Sequence, residues 1–140
     1  MTRQNRPTGA GQPLDPAGQM NIAHKGVVYE FSKDVSANTT ETVSRTIQTD
    51  ALLRHVIIGW PDGANNLVGV KFGTNTGEDY IPRNAEDDYI AANDFTHPFV
   101  ILDDVEEDGV LEAEFQNNDS NNSHFINVFA ELVEEPPALS

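Results

Sequence analysis

The sequence predicts a single all-β domain built as a β-sandwich, and two observations carry this prediction. Short runs in which apolar and polar residues alternate recur along most of the chain, and this is the period of a strand with one buried face. Clusters of Pro, Gly, Asn and Asp separate these runs at short intervals, as turns between strands do. The chain has 140 residues, the size of one ordinary domain, so one core is expected.

The clearest alternation lies in residues 109–116 and 124–133, on either side of an Asn-rich stretch. The inward residues of these two runs are predicted to be Leu111, Ala113, Phe115, Ile126, Val128, Ala130 and Leu132. We interpret the pair as a β-hairpin with a long tip. The other face of the second run carries Phe125, Phe129 and Val133, and it is too apolar to be wholly solvated. It is therefore expected to meet an arm, another sheet edge or another subunit.

Six earlier runs complete a set of eight predicted strands. The run at residues 52–60 is apolar on both faces, which is typical of a central strand covered on both sides. It ends at a Trp-Pro-Asp-Gly turn, which predicts that it pairs with the next run as a hairpin. The eight strands are predicted at residues 26–33, 42–49, 52–60, 66–72, 79–82, 95–102, 109–116 and 124–133.

Eight short strands of this kind favour a jelly roll, in which two packed sheets enclose one core. An immunoglobulin-like sandwich is the alternative, although the Cys-Trp-Cys signature of its antibody form is impossible because the chain has no Cys.

The charge balance is strongly acidic. The chain carries 23 Asp and Glu against 8 Lys and Arg, which gives a net charge of −15. Such a surface stays hydrated in molar salt, where repulsion is screened, so a halophilic source is expected; an acidic protein of ordinary origin, or one that binds a cationic partner, is the alternative. Direct binding of nucleic acid is disfavoured because the acidic body has no basic patch. No apolar run approaches the length of a membrane span and no secretory signal is recognisable, so no membrane association is expected.

The two ends of the chain differ in composition from the middle. Residues 1–25 are rich in Gly, Pro, Gln and Asn, and their cations Arg3, Arg6 and Lys25 outnumber the single Asp15. We therefore predict an extended N-terminal arm at 1–25, a sandwich domain at 26–133 and a C-terminal tail at 134–140. A cationic arm on an acidic body can dock on its own body or on a neighbour.

No motif in the sequence indicates catalysis. The four histidines show no metal-ligand spacing, and no nucleophile elbow or phosphate-binding loop is present. The densest acidic run contains the weak cation candidates Asp103, Asp104, Glu106 and Asp108. Its spacing lacks the alternating ligand pattern of an EF-hand, and a solvated turn is the preferred interpretation. We expect no enzyme activity, no metal and no cofactor.

Aromatic residues near strand ends could form a sugar-binding platform. Trp60 and Tyr80, together with Asn118 and Asn121 in the Asn-rich tip, are the residues through which a carbohydrate-binding sandwich would contact a cell-surface glycan. Core packing is the competing interpretation, and for Trp60 it is preferred.

The chain resembles the small jelly-roll structural proteins of tailed viruses that infect halophilic archaea. The acidic surface, the arm at 1–25, one compact sandwich at 26–133, and the closing runs with Phe115, Phe125 and Phe129 carry this resemblance. It implies a head decoration, turret or tail component located in the virion. It also implies a homo-oligomer, a trimer or a pentamer, that contacts the major capsid protein or another virion protein. Arg3, Arg6, Phe125, Phe129 and Val133 would then form the interfaces.

Overall fold

The computed structural model describes residues 25–82 and 88–134, and these residues form ten strands and no helix. No helix that could cross a membrane exists in this part of the chain. The strands are β1 (Lys25–Glu30), β2 (Lys33–Val35), β3 (Thr39–Thr46), β4 (Ala51–Trp60), β5 (Val68–Thr74), β6 (Asp79–Ile81), β7 (Ile90–Ala91), β8 (Phe95–Val105), β9 (Val110–Asn117) and β10 (His124–Glu134).

The strands are arranged in two antiparallel sheets that form a sandwich. In the first, which we call the β10 sheet, the order is β1, β10, β4, β8, and β2 pairs with β10 beyond the end of β1. In the second, the β9 sheet, the order is β3, β9, β5, β6, and β7 pairs with β5. The predicted all-β sandwich is therefore confirmed.

The core lies between the two sheets and is built from alternate residues of nearly every long strand. All seven inward residues predicted for the last two runs are at most 1% exposed, and so are Val68, Val70 and Phe72 of β5. Phe31 and Phe72 meet edge to face across the core, with their ring centroids 5.1 Å apart. Strand periodicity thus identified the buried face of these strands correctly.

The count of eight strands was wrong. The predicted strand at 26–33 is divided into β1 and β2, because the chain leaves the regular ladder at Phe31 and Ser32. There the hydroxyl oxygen of Ser32 accepts a hydrogen bond from the backbone N–H of Val128 at 2.9 Å. In an unbroken ladder a backbone carbonyl would accept this hydrogen bond. The second additional strand is β7, which lies between the strands predicted at 79–82 and 95–102.

Both predicted hairpins were also wrong. β9 and β10 lie in different sheets, as do β4 and β5, so each connection crosses from one sheet to the other. The alternation of apolar and polar residues cannot distinguish a hairpin from a crossing between sheets, because two strands that face each other across a core bury alternate residues just as two paired strands do. At the second crossing, the indole N–H of Trp60 donates to the carbonyl of Val68 at 2.9 Å and joins the two sheets.

β4 is central in its sheet, but it is not covered on both sides. Arg54 is exposed and Ile57 is 36% exposed on its outward side. The prediction of a doubly covered strand is therefore corrected: its outer apolar residues belong to the surface described next.

Candidate assembly surface

The outward face of the β10 sheet is apolar, although it faces solvent in the single chain. Val28 on β1, Val100 on β8 and Phe125 on β10 are 61%, 60% and 49% exposed. We call this surface the apolar face. Its members, exposed or half-buried, are Val28, Leu52, Ile57, Val100, Phe125, Phe129 and Val133.

Strand register makes these residues one continuous patch. Phe129 lies opposite Ile57, which in turn lies opposite Pro98. One row further, Glu131 has Val28 on one side and His55 on the other, and His55 is opposite Val100. Neighbouring strands are about 4.8 Å apart, so side chains in one row contact each other. The face therefore spans all four long strands of the sheet.

Charged side chains interrupt the apolar face among the residues that the structure describes: Glu30, Arg54 and Asp104 are exposed there, and His55 pairs with Glu131. His55 Nδ1 lies 2.8 Å from Glu131 Oε1, and the two side chains are 32% and 41% exposed. Part of the Glu131 carboxylate is thus accessible from outside the chain.

The outward face of the β9 sheet is different in kind. It carries Glu112, Glu114 and Gln116 on β9, and the hydroxyl residues of β3 lie opposite them. On the other side, the Lys71 ammonium lies 5.0 Å from the centroid of the Tyr89 ring, whose hydroxyl donates to Glu114. The β10 sheet therefore exposes large apolar side chains to solvent, and the β9 sheet presents a polar surface.

The predicted interface residues of the last strand lie on the apolar face. Phe125 is half exposed, and Phe129 and Val133 are half-buried further along the same strand. Arg3 and Arg6 lie outside the described residues. The sequence interpretation missed Val28, Ile57 and Val100, whose outward positions follow from the same alternation but whose proximity depends on the strand order.

The cation candidates of the acidic run are not brought together. Asp103 accepts the hydroxyl of Tyr80 at 2.8 Å, whereas Asp104 is exposed on the following position of β8. Glu106 and Asp108 lie in the turn to β9, where their backbone groups bond with Gly109 and Ile47. Within residues 25–82 and 88–134, no three acidic or histidine side chains are grouped as a metal site would require.

The residues proposed for glycan contact are divided between core and surface. Trp60 and Tyr80 are each 4% exposed, so neither ring offers a face to a sugar, and the core interpretation of Trp60 is confirmed. Asn118 and Asn121 are exposed in the tip between β9 and β10. A platform made of the two rings would require both to leave the core, and the tip asparagines alone remain accessible.

The tip between β9 and β10 is ordered by its own polar side chains. Asp119 Oδ1 accepts the backbone N–H of Asn121 at 3.0 Å, and its Oδ2 lies 2.8 Å from His124 Nε2. These bonds hold the pKa of Asp119 at about 2, with the Asn121 N–H the largest cause, followed by His124 and Asn122. The conformation of the tip is therefore held by hydrogen bonds of its own side chains.

This depressed pKa predicts an acid-dependent contribution to stability. The ionised form of Asp119 is favoured in the folded chain, so its contribution is fully present above the unfolded pKa of about 4 and is lost as the pH falls towards about 2. Asp119→Asn is expected to be less stable than the wild type at pH 5, and the difference should shrink between pH 4 and 2. Urea unfolding midpoints across that range measure it, with the exposed Asp34→Asn as control. A difference that is constant with pH would contradict the assignment.

Comparisons with known proteins give only remote likenesses. No protein-family model matches the chain, and no curated protein matches its sequence. Among solved structures, a chain of the cyanophage Pam1 capsid asymmetric unit is similar, with a TM-score of 0.47 at 12% identity over 96% of this chain and 99% of that one.

Two structures of infectious bursal disease virus are also similar. The Gx strain gives a TM-score of 0.41 at 13% identity over 91% of this chain, and the Gt strain gives 0.38 at 13% identity over 89%. This chain spans 38% and 36% of those viral chains. The three similar structures thus come from viruses, and one of them is a capsid asymmetric unit.

Proposed function

We propose that this chain is a structural protein of a virion and that it assembles with copies of itself through the apolar face. The observation that carries the proposal is the contrast between the two sheets: one outward face exposes several large apolar side chains among its charged groups, whereas the other is polar and acidic. Large contiguous apolar patches on a soluble chain usually mark a contact with another molecule. The proposed role is structural and not enzymatic, without a cofactor.

The connectivity supports a jelly roll. If β1 with β2 and β6 with β7 are each counted as one unit, the described residues form eight such units. The first then pairs with the eighth, the second with the seventh, the third with the sixth and the fourth with the fifth. This pairing of first with last and of each inner strand with its counterpart corresponds to one long hairpin folded into two sheets. Jelly rolls have this arrangement and are common in viral capsid and lectin domains.

The proposal extends to a head decoration or turret of a tailed virus of halophilic archaea. The homo-oligomer, a trimer or a pentamer, would be held on the major capsid protein or another virion protein, with Arg3 and Arg6 of the arm contacting acidic neighbours. The net charge of −15 supports a halophilic source.

A halophilic source predicts salt-dependent stability. The 23 acidic residues repel one another across about 30 Å at 0.01 M salt but across only about 3 Å at 1 M. The melting temperature and the oligomer mass are therefore expected to fall together when salt is lowered from molar to millimolar. Glu106→Gln with Glu107→Gln, both in an exposed turn, should reduce the dependence. Equal melting temperatures at both salt concentrations would contradict the halophilic premise.

Mass spectrometry and hydroxyl-radical footprinting of purified virus particles test the proposal directly. The chain should be found in the particles by mass spectrometry. Phe125, Phe129 and Ile57 are expected to be protected from oxidation there relative to dilute protein, while Tyr89 on the β9 sheet serves as the internal reference. Absence from particles would overturn the virion role, and equal oxidation of the apolar face in both states would overturn the proposed contact.

A further inference from the structure

Arg54 stands on the apolar face and has no partner among the described residues. Its side chain is exposed on β4 at the point where the register of β4 with β8 shifts between Leu53 and His55. Such an irregularity re-aims a side chain relative to a regular strand. No ion pair, hydrogen bond or ring contact engages Arg54 among the residues that the structure describes.

Three other cations on the sandwich, Lys33, Lys71 and Arg45, are engaged within the chain. Lys33 Nζ lies 3.4 Å from Glu41 Oε1, and Lys71 lies over the Tyr89 ring. The guanidinium of Arg45 donates to the carbonyl of Ser44 at 3.0 Å. An arginine without a partner is therefore unusual here, in a chain where acidic groups greatly outnumber cations.

Arg54 shares a shallow depression of the apolar face with Glu131. The other lining residues, Gly26, Leu52 and Val133, form one apolar row across three strands. No ion pair joins Arg54 to Glu131 within the chain, and one Glu131 oxygen lies 2.8 Å from His55 Nδ1. A carboxylate has two oxygens, and the Glu131 side chain is 41% exposed, so it can accept a second cation.

We propose that Arg54 of one copy binds Glu131 of the neighbouring copy around the symmetry axis of the homo-oligomer. This inference rests on the assembly proposed above and names the polar contact within it. Opposite charges side by side on one patch are self-complementary: rotation about an axis close to the patch brings the cation of each copy to the carboxylate of the next. About a two-fold axis the same patch of both copies meets and two Arg54–Glu131 contacts form, whereas about a three-fold or five-fold axis the contact runs head to tail, from Arg54 of each copy to Glu131 of the next.

The contact would set the geometry of the assembly more than its strength. An apolar face alone tolerates sliding and wrong orientations, whereas a charged pair enclosed by Leu52 and Val133 leaves an uncompensated charge in every other arrangement. Arginine suits this place because its planar guanidinium can bind a carboxylate through two parallel hydrogen bonds.

Charge reversal and charge exchange test the pair in the full-length chain. Arg54→Glu and Glu131→Arg, each alone, are expected to weaken self-association at least about ten-fold by sedimentation equilibrium. The double variant exchanges the two charges and should recover most of the loss. Arg45→Glu, the same charge change at an exposed site of β3, is the control, and thermal unfolding shows that each variant is folded.

The outcomes separate this inference from the proposed function. If Arg54→Glu associates like the wild type, or if the double variant is no better than either single variant, the ion pair is overturned while the apolar face stands. If the wild-type chain and every variant are monomers at all concentrations, the assembly is overturned and the ion pair with it.

Discussion

Replacing Asn117 by aspartate is expected to lower the free energy of unfolding by about 3 kcal/mol or more. Asn117 is 1% exposed, and its side-chain amide donates to the carbonyls of Val35, Ser36 and Asn122 at 3.1, 3.2 and 3.0 Å. Aspartate would place an acceptor against three acceptors in a buried site. Since these bonds join β9 to the end of β2 and to the tip, the loss should affect the whole sandwich.

Urea unfolding of the full chain measures this effect, with Asn118→Asp as the matched control. Asn118 is the next residue and is exposed, so the same substitution there should change stability by no more than about 0.5 kcal/mol. Equal destabilisation by both substitutions would show that the effect comes from added negative charge and not from the lost hydrogen bonds.

The second large effect is expected on assembly. Val28→Glu combined with Val100→Glu should weaken self-association about a hundred-fold or more, because two carboxylates would have to lose their water when copies associate. The two valines are 61% and 60% exposed in the single chain, so the fold itself should be unaffected.

Thr40→Glu with Thr46→Glu provides the matched control for that variant. Both threonines are exposed on β3 in the β9 sheet, opposite Gln116 and Val110, and the change in charge is the same. Sedimentation velocity should show dissociation for the valine variant alone. Equal dissociation of both variants would indicate general charge repulsion instead of a contact at the apolar face.

The sequence predicted the buried face of most strands but not the sheet to which each strand belongs. Leu111, Phe115, Ile126 and Leu132 are in the core as alternation required. Alternation reports on a single strand, however, and nothing local records which strand lies beside it. The connection through the Asn-rich tip was therefore interpreted as a hairpin, although Asn117 and Asp119 organise it as a crossing between sheets.

Only part of the candidate surface was predicted, because alternation along one strand does not show which strands are neighbours. Phe125, Phe129 and Val133 were identified because they lie on one strand. Val28 and Val100 belong to the same face through pairing across the sheet, so their contribution could not be seen before the strand order was known. The outward position of Arg54 depends on a register shift, for which the sequence carries no local signal.

The solution mass of the full-length chain in molar salt tests assembly through the apolar face most directly. Light scattering during size exclusion is expected to give a whole-number multiple of the 15.4 kDa chain mass at micromolar concentration, with smaller species as the protein is diluted. A mass of 15.4 kDa at every concentration would contradict self-assembly through this face.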